Sequence, residues 1–304
     1  VFTFAGPVMP EVIQHKGASI SKFLQHQWLT TEGVFGIALG VSTSFVFLFV
    51  LFGALLEKAG AGNYMIQISF ALLGHLRGGP AKVAVVSSAL NGVISGSSVS
   101  NVVSGGIFTI PMMKRTGLSG VKAGAIETAS SINGQLMPPV MGAAAFLMVE
   151  YVGIPYSEIV KHALFPAVIS YVALFYIVHL EAVKIGAQPL ARNNVRPRRE
   201  RWLRQALGWS GTIAVGGAIY YGIVGIRAIF GPAAPWVVAF AGLATYLLAL
   251  GYAARFPDLE MDDPRDPEIR LPETWAVART GLHFLLPIVV LLWCLMVEEM
   301  SPGL

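Results

Sequence analysis

Two short clusters in this sequence carry the residue types that could hold small ions. The first is Ser95-Gly96-Ser97-Ser98-Val99-Ser100-Asn101, set between two apolar runs. The second is Ser130-Ser131-Ile132-Asn133-Gly134-Gln135-Leu136-Met137-Pro138-Pro139, which interrupts a third. If each cluster separates two helices, the chemistry follows from the helix ends. A helix leaves unpaired amides at its N-terminus and unpaired carbonyls at its C-terminus, and the aligned peptide dipoles add about half a charge of matching sign. Carbonyls near Ile94 and Ser95, and again near Ser131 to Asn133, would suit a Na⁺ ion, while amides near Ser98 and Val99 and those after Pro139 would suit an anion. Ser97, Ser98, Asn101, Asn133 and Gln135 add neutral hydrogen-bonding groups without the cost of a buried charge. The plainer alternatives are a tight structural turn at the first cluster and a Pro-kinked packing helix at the second; binding is the preferred reading of both.

Other candidates carry less. A serine nucleophile at the first cluster would need a His or Lys in the same layer, and none is evident in the adjacent segments. Glu127 reads as a helix-start or cavity-facing charge rather than a proton carrier. His179 and Glu181 read as interfacial, and Ser87 and Ser88 as returning hydrogen bonds to their own backbone.

The elements that must position these clusters are membrane helices. The 304 residues are 55 % hydrophobic and only 12 % charged, against roughly 25 % charged in a soluble domain. Mean hydropathy is +0.65, and the long apolar runs set aside a large soluble enzyme. The formal charge of +4 is small, and basic residues gather at segment ends. That pattern fits membrane topology and no nucleic-acid partner. The single Cys294 excludes an intrachain disulfide and a Cys-based metal site. No signal peptide or initiator Met is visible, and the chain stops just after an apolar segment, so a piece of a longer polypeptide is expected.

In chain order, 34–56 is the first span, with Gly36, Gly40 and Ser44 forming a small-residue strip. Residues 63–76 are too short to cross comfortably and are expected to lie as an arm near the interface, with a short tilted span as the alternative. Helices over 81–94 and 98–110 each fall short of a crossing, the first covering about 21 Å. Joined at Ser95-Gly96-Ser97, they predict a re-entrant hairpin with its base on the cytoplasmic side, where Arg77, Lys82, Lys114, Arg115 and Lys122 gather. Residues 117–131 and 139–152 predict one crossing in two halves, broken near 132–137 because Pro138 and Pro139 donate no backbone hydrogen bond and Gly134 weakens helix. A return span over 162–181 leads to a basic loop with Arg192, Arg196, Arg198, Arg199 and Arg201, again cytoplasmic. Spans over 207–226, 235–254 and 282–297 follow, with an acidic loop at 257–273. The expected fold is an all-α integral membrane protein with a re-entrant hairpin and a discontinuous transmembrane helix. It divides into scaffold span and arm (1–76), hairpin and broken helix (77–160), return span and basic loop (161–204) and further scaffold spans (205–304).

The motifs Gly78-Gly79-Pro80-Ala81-Lys82, Ser95-Gly96-Ser97-Ser98 with Asn101, Thr109-Ile110-Pro111-Met112-Met113-Lys114, and Pro138-Pro139-Val140-Met141-Gly142-Ala143-Ala144-Ala145-Phe146 together resemble the large permease subunit of TRAP transporters (tripartite ATP-independent periplasmic transporters). The likeness is to the fused, TAXI-like type and covers about 34–185 closely. The resemblance implies an elevator-type ion transporter fold in the cytoplasmic (inner) membrane of a bacterium or archaeon. It also implies Na⁺ coupling, a small organic acid as substrate and a periplasmic substrate-binding protein as partner. By the same resemblance the Na⁺ site maps to Ser95, Gly96 and Ser97 with Ile132, Asn133 and Gly134, and substrate contacts to Ser97, Ser98, Asn101, Gln135, Pro138 and Pro139. The family carries the hairpin-plus-break unit twice in inverted orientation, and 207–304 shows neither a second Ser/Gly tip nor a second Pro-Pro break. One inverted repeat is therefore expected here, with the remaining half of the permease as its partner. A channel or non-transporting membrane scaffold is the alternative from another class, and an intramembrane hydrolase comes third.

Overall fold

A computed structural model describes residues 2–190, scattered positions between 210 and 226, and residues 228–256 and 271–296. The described residues are helical throughout, with no strand among them. Helix α1 is Ile20–Leu29. Helix α2 is Ile37–Lys58, long and apolar enough to cross a bilayer, with a π-helical stretch at Ser42–Val46. Helix α3 is Ala61–Leu73, α4 Gly79–Ser95 and α5 Ser98–Arg115. Helix α6 is Gly120–Asn133, followed by a 3₁₀ turn at Gly134–Leu136 and by α7, Ala143–Val152. Helix α8 is Tyr156–Lys184, and α9 is Ala234–Ala253. Last come α10, Thr274–Thr280, and α11, Leu282–Met296, bent by 61° where they meet.

Local chemistry starts and stops these helices. Gly78 takes the left-handed backbone (φ 66°) before α4, and Pro80 sits in its first turn, where a missing N–H costs nothing. Gly96 (φ 57°) ends α4 in the same left-handed region, which a residue with a Cβ rarely adopts. Ser97 then caps α5 by accepting from the Ser100 amide at 3.3 Å, and Ser119 caps α6 in the same way through Lys122. Thus the hairpin expected at Ser95-Gly96-Ser97 is present as α4 and α5, and the expected break lies between α6 and α7.

Several boundaries differ from the expected ones. The second hairpin arm runs past Pro111 to Arg115. Pro111 removes one intrahelical bond, a loss that packing of Met112 and Met113 into the core offsets. The return helix starts at Tyr156 rather than near 162, because Pro155 supplies an extended N-cap and Tyr156 is itself buried. Residues 137–142 form a turn, so α7 begins at Ala143. Helix α3 is not a surface arm: Tyr64, Met65, Ile66, Gln67, Ser69 and Phe70 are buried, packed with α4 and α10. The basic loop from 191, most of the span expected over 207–226, and the acidic stretch 257–270 lie outside the described residues.

Helix α4 is the centre of the molecule, touching α2, α3, α5, α6 and α8. Its base packs Ala81, Ala84, Val85 and Ala89 with Met113, Ala123, Tyr171 and Val178. The base is also pinned by polar contacts to α8: Lys82 Nζ lies 3.0 Å from His179 Nδ1 and over the Phe175 ring, and Lys122 pairs with Glu181. A second cluster joins Phe49 of α2, Val140, Met141 and Phe146 beyond the break, and Tyr156 and Val160 of α8. Within it the Phe146 and Tyr156 rings stack at 4.9 Å.

Candidate functional site

Helix periodicity sorts the hairpin residues into faces. On α4, Ser88 and Gly92 are one turn apart and face the break; on α5, Asn101 and Gly105 are one turn apart and face α6. A Cβ on Gly92 would stand 2.6 Å from the Gly134 carbonyl oxygen, so only glycine allows the two backbones this approach. A Cβ on Gly96 would likewise collide with the carbonyl oxygen of Met141. The hairpin tip therefore rests directly on the peptide bonds of the broken crossing.

Polar side chains complete the joint. Gln135 Nε2 donates to Ser98 Oγ at 2.8 Å, tying the break to the tip. Asn101 is buried and donates through Nδ2 to the Ser88 carbonyl at 3.0 Å, while its Oδ1 has no partner. The Ser88 and Ser131 hydroxyls meet at 3.4 Å across the α4–α6 contact. Ser95 Oγ donates to the Asn91 carbonyl and accepts from the Ser97 amide. Gly134 is buried at the joint, Asn133 half-buried at the end of α6, and Ile132 exposed beside it. Pro138 is half-buried and Pro139 buried, and the peptide between them is cis. The Tyr156 hydroxyl donates to the carbonyl oxygens of Pro139 and Val140, at 2.6 and 3.0 Å. The structure thus joins Ser98 to Gln135, Asn101 to the surroundings of Gly134, and Gly96 to Met141. The tip meets the break through these contacts, one or two residues from Ser97 and Asn133.

What this joint can do follows from its inventory. It holds hydroxyl and amide oxygens, two helix C-termini and one buried acceptor, Asn101 Oδ1, with no partner in the fold. Unclaimed buried oxygen of this kind fits a small hard cation, whose preferred ligands are oxygens. The Ser98 and Gln135 side chains lie at its accessible edge, where a carboxylate could accept hydrogen bonds.

Three residues that tie distant segments together escape a reading of local spacing. Glu127 is fully buried, not cavity-facing. Thr109 Oγ1 donates to its Oε2 at 2.5 Å, and Ser131 also bonds it. Gly105 and Gly106 leave the room its carboxylate occupies, and that adjacent glycine pair inside an apolar run was the available signal. Glu57 accepts from Ser100 Oγ at 2.6 Å, a contact between residues 43 apart that no local pattern announces. Tyr156 had only its position after Pro155 to mark it.

The family of the DctM component of tripartite ATP-independent periplasmic transporters matches residues 6–263. A putative TRAP transporter large permease protein of Haemophilus influenzae is 27 % identical over 121 residues, 40 % of this chain and 28 % of the relative. The ectoine TRAP transporter large permease protein TeaC of Halomonas elongata is 27 % identical over 178 residues, 58 % of this chain and 41 % of its own. The C4-dicarboxylate TRAP transporter large permease protein DctM of Pseudomonas aeruginosa is 34 % identical over 91 residues, 30 % of this chain and 21 % of its own. The chain therefore spans less than half the length of the curated relatives it matches. With its apolar helices α2, α8 and α9, each long enough to cross a bilayer, and the match over 6–263, it is a multi-pass membrane protein that belongs to the DctM-component family of tripartite ATP-independent periplasmic transporters.

Proposed function

We propose that this chain is part of a Na⁺-coupled secondary transporter of the cytoplasmic membrane, importing a small organic anion handed over by a periplasmic binding protein. In this reading Na⁺ is held between tip and break by Ser95, Gly96, Ser97, Ile132, Asn133 and Gly134. The carboxylate meets Ser97, Ser98, Asn101, Gln135, Pro138 and Pro139, with the amides of α5 adding to the pull on the anion. The hairpin and broken helix travel together past the remaining spans as an elevator, and the other half of the permease supplies the matching unit.

One observation carries the reading most of the way. Two helix pairs, α4 with α5 and α6 with α7, meet at neutral polar ends, in contact through Gln135 and Ser98, with the buried Asn101 Oδ1 unclaimed. A packing hairpin alone would be better served by apolar residues, since each unsatisfied buried acceptor is destabilising by about 1–3 kcal/mol. The relatives' named substrates, ectoine and C4-dicarboxylates, both carry carboxylates, which supports the substrate class.

The test is uptake into proteoliposomes by the complete permease with its binding protein under an imposed Na⁺ gradient. Saturable uptake that needs the gradient, and falls about tenfold or more in both Ser97→Ala and Asn133→Ala, is the expected result. Uptake indifferent to Na⁺ would overturn the coupling, and conductance that does not saturate would make the protein a channel.

A further inference from the structure

Beside the face that meets the break, and toward α2, the hairpin holds a second recess. On α4, Asn91 and Ser95 are one turn apart, and on α5, Ser100 and Ser104 are one turn apart. All four line a recess closed by Gly53 and Glu57 of α2 and by Gly62 at the start of α3. Its accessible volume is about 10 Å³, that of about one water-sized sphere. Helix α2 reaches the hairpin closely because Gly53 has no side chain: a Cβ there would stand 3.0 Å from the Cα of Ser95.

The hydrogen bonds leave acceptor oxygens among the groups of this recess. Ser100 gives its proton to Glu57, Ser104 to the Ser100 carbonyl at 2.9 Å, and Ser95 to the Asn91 carbonyl at 3.2 Å. Each hydroxyl proton is thus spent on another group; Ser100 and Ser104 keep their oxygen lone pairs, and Ser95, which also accepts from the Ser97 amide, keeps one. Asn91 is 6 % exposed, and neither its Oδ1 nor its Nδ2 has a partner. An unpaired buried amide calls for an occupant. Among the described residues Glu57 has no ion-pair partner, and its carboxylate lines the recess.

We propose that this recess is a binding site for one monovalent cation of Na⁺ size, held by Glu57, Asn91 Oδ1 and the Ser95, Ser100 and Ser104 hydroxyl oxygens. Oxygen ligands select a hard ion, and a single carboxylate balances one positive charge but not two. The site lies toward α2 rather than toward the break and shares only Ser95 with the tip–break joint. It is shared between α2 and both hairpin arms, so any sliding of the hairpin along α2 takes it apart, and the bound cation favours the arrangement seen here. The assignment does not depend on the transport reading.

The test uses crystals of the complete permease grown in Tl⁺ as a heavy monovalent probe, then exchanged into excess Na⁺ or choline. The expected result is an anomalous peak within about 3 Å of Glu57 and Asn91, displaced by Na⁺ but not by choline. The peak is lost in Glu57→Gln and in Asn91→Val and kept in Asn133→Ala. In detergent solution the Na⁺ concentration giving half-maximal thermal stabilisation rises about tenfold in Glu57→Gln, equivalent to about 1.4 kcal/mol of binding free energy. No Tl⁺ peak in the recess of the parent protein, or water density there that is the same in every salt, overturns the proposal. A peak confined to the tip and break overturns it while leaving the transport reading intact. Should either variant fail to fold, the parent maps decide the matter alone.

Discussion

Helices α4 and α9 are of similar length and opposite in every other respect. Thirteen of the seventeen residues of α4 are buried, although it carries Lys82, Ser87, Ser88 and Asn91. Helix α9 is apolar almost throughout, yet only 6 % of its most apolar stretch is buried, and Trp236, Phe240, Leu247 and Leu248 point outward. In water the arrangement would be inverted. In a bilayer, apolar side chains gain nothing by leaving lipid, so close packing falls to helices with small and polar residues that let backbones approach. Helix α4, less hydrophobic than α9, is the inner one of the two.

The largest expected effect sharpens that contrast. Gly92→Val drives a side chain into the Gly134 carbonyl, whereas Gly251→Val on α9 meets nothing within 4 Å. Overpacking at the first should lower stability by about 3 kcal/mol, and the second should stay within about 0.5 kcal/mol, as thermal unfolding in detergent would register. Equal melting temperatures would break the comparison. Glu127→Ala comes next, because it empties the space made by Gly105 and Gly106 and removes the carboxylate that Thr109 and Ser131 bond, leaving Thr109 only the Gly105 carbonyl. A loss of about 2–3 kcal/mol is expected on the same scan, with Glu127→Gln milder because it keeps shape and one acceptor. Tyr156→Phe removes only the hydroxyl that holds the Pro139 and Val140 carbonyls, and about 1–2 kcal/mol should go with it. The smallest change is Lys122→Met. Its pair with Glu181 is partly solvent-exposed, 42 % and 32 %, so less than about 1 kcal/mol is expected, diminishing with added salt.

The local punctuation of the hairpin and the break was legible in sequence. Ser95-Gly96-Ser97 announces a left-handed stop followed by a cap, and Pro138-Pro139 announces a segment that cannot continue a helix, because both signals act within a few residues. What could not be read depends on contacts between distant residues. Glu57 looks like a charge ending an apolar span until Ser100 is placed against it. Glu127 looks like a helix-start charge until α5 is packed over it. Helix α3 reads as interfacial because it is too short to cross comfortably, yet even its polar Gln67 and Ser69 are buried, Ser69 by returning its proton to the Met65 carbonyl at 2.7 Å. Short polar side chains can satisfy themselves inside a membrane protein, so their presence does not mark a surface.

The most direct test of the tip–break joint as an ion site is Na⁺-dependent thiol labelling in the complete permease stripped of other cysteines. Ser98→Cys sits at the joint, and Leu247→Cys sits on α9 as the reference. If Na⁺ is held between tip and break, saturating Na⁺ slows labelling at Ser98→Cys several-fold relative to choline and leaves Leu247→Cys unchanged. Identical labelling in Na⁺ and choline at Ser98→Cys would contradict the assignment of the coupling ion to this joint.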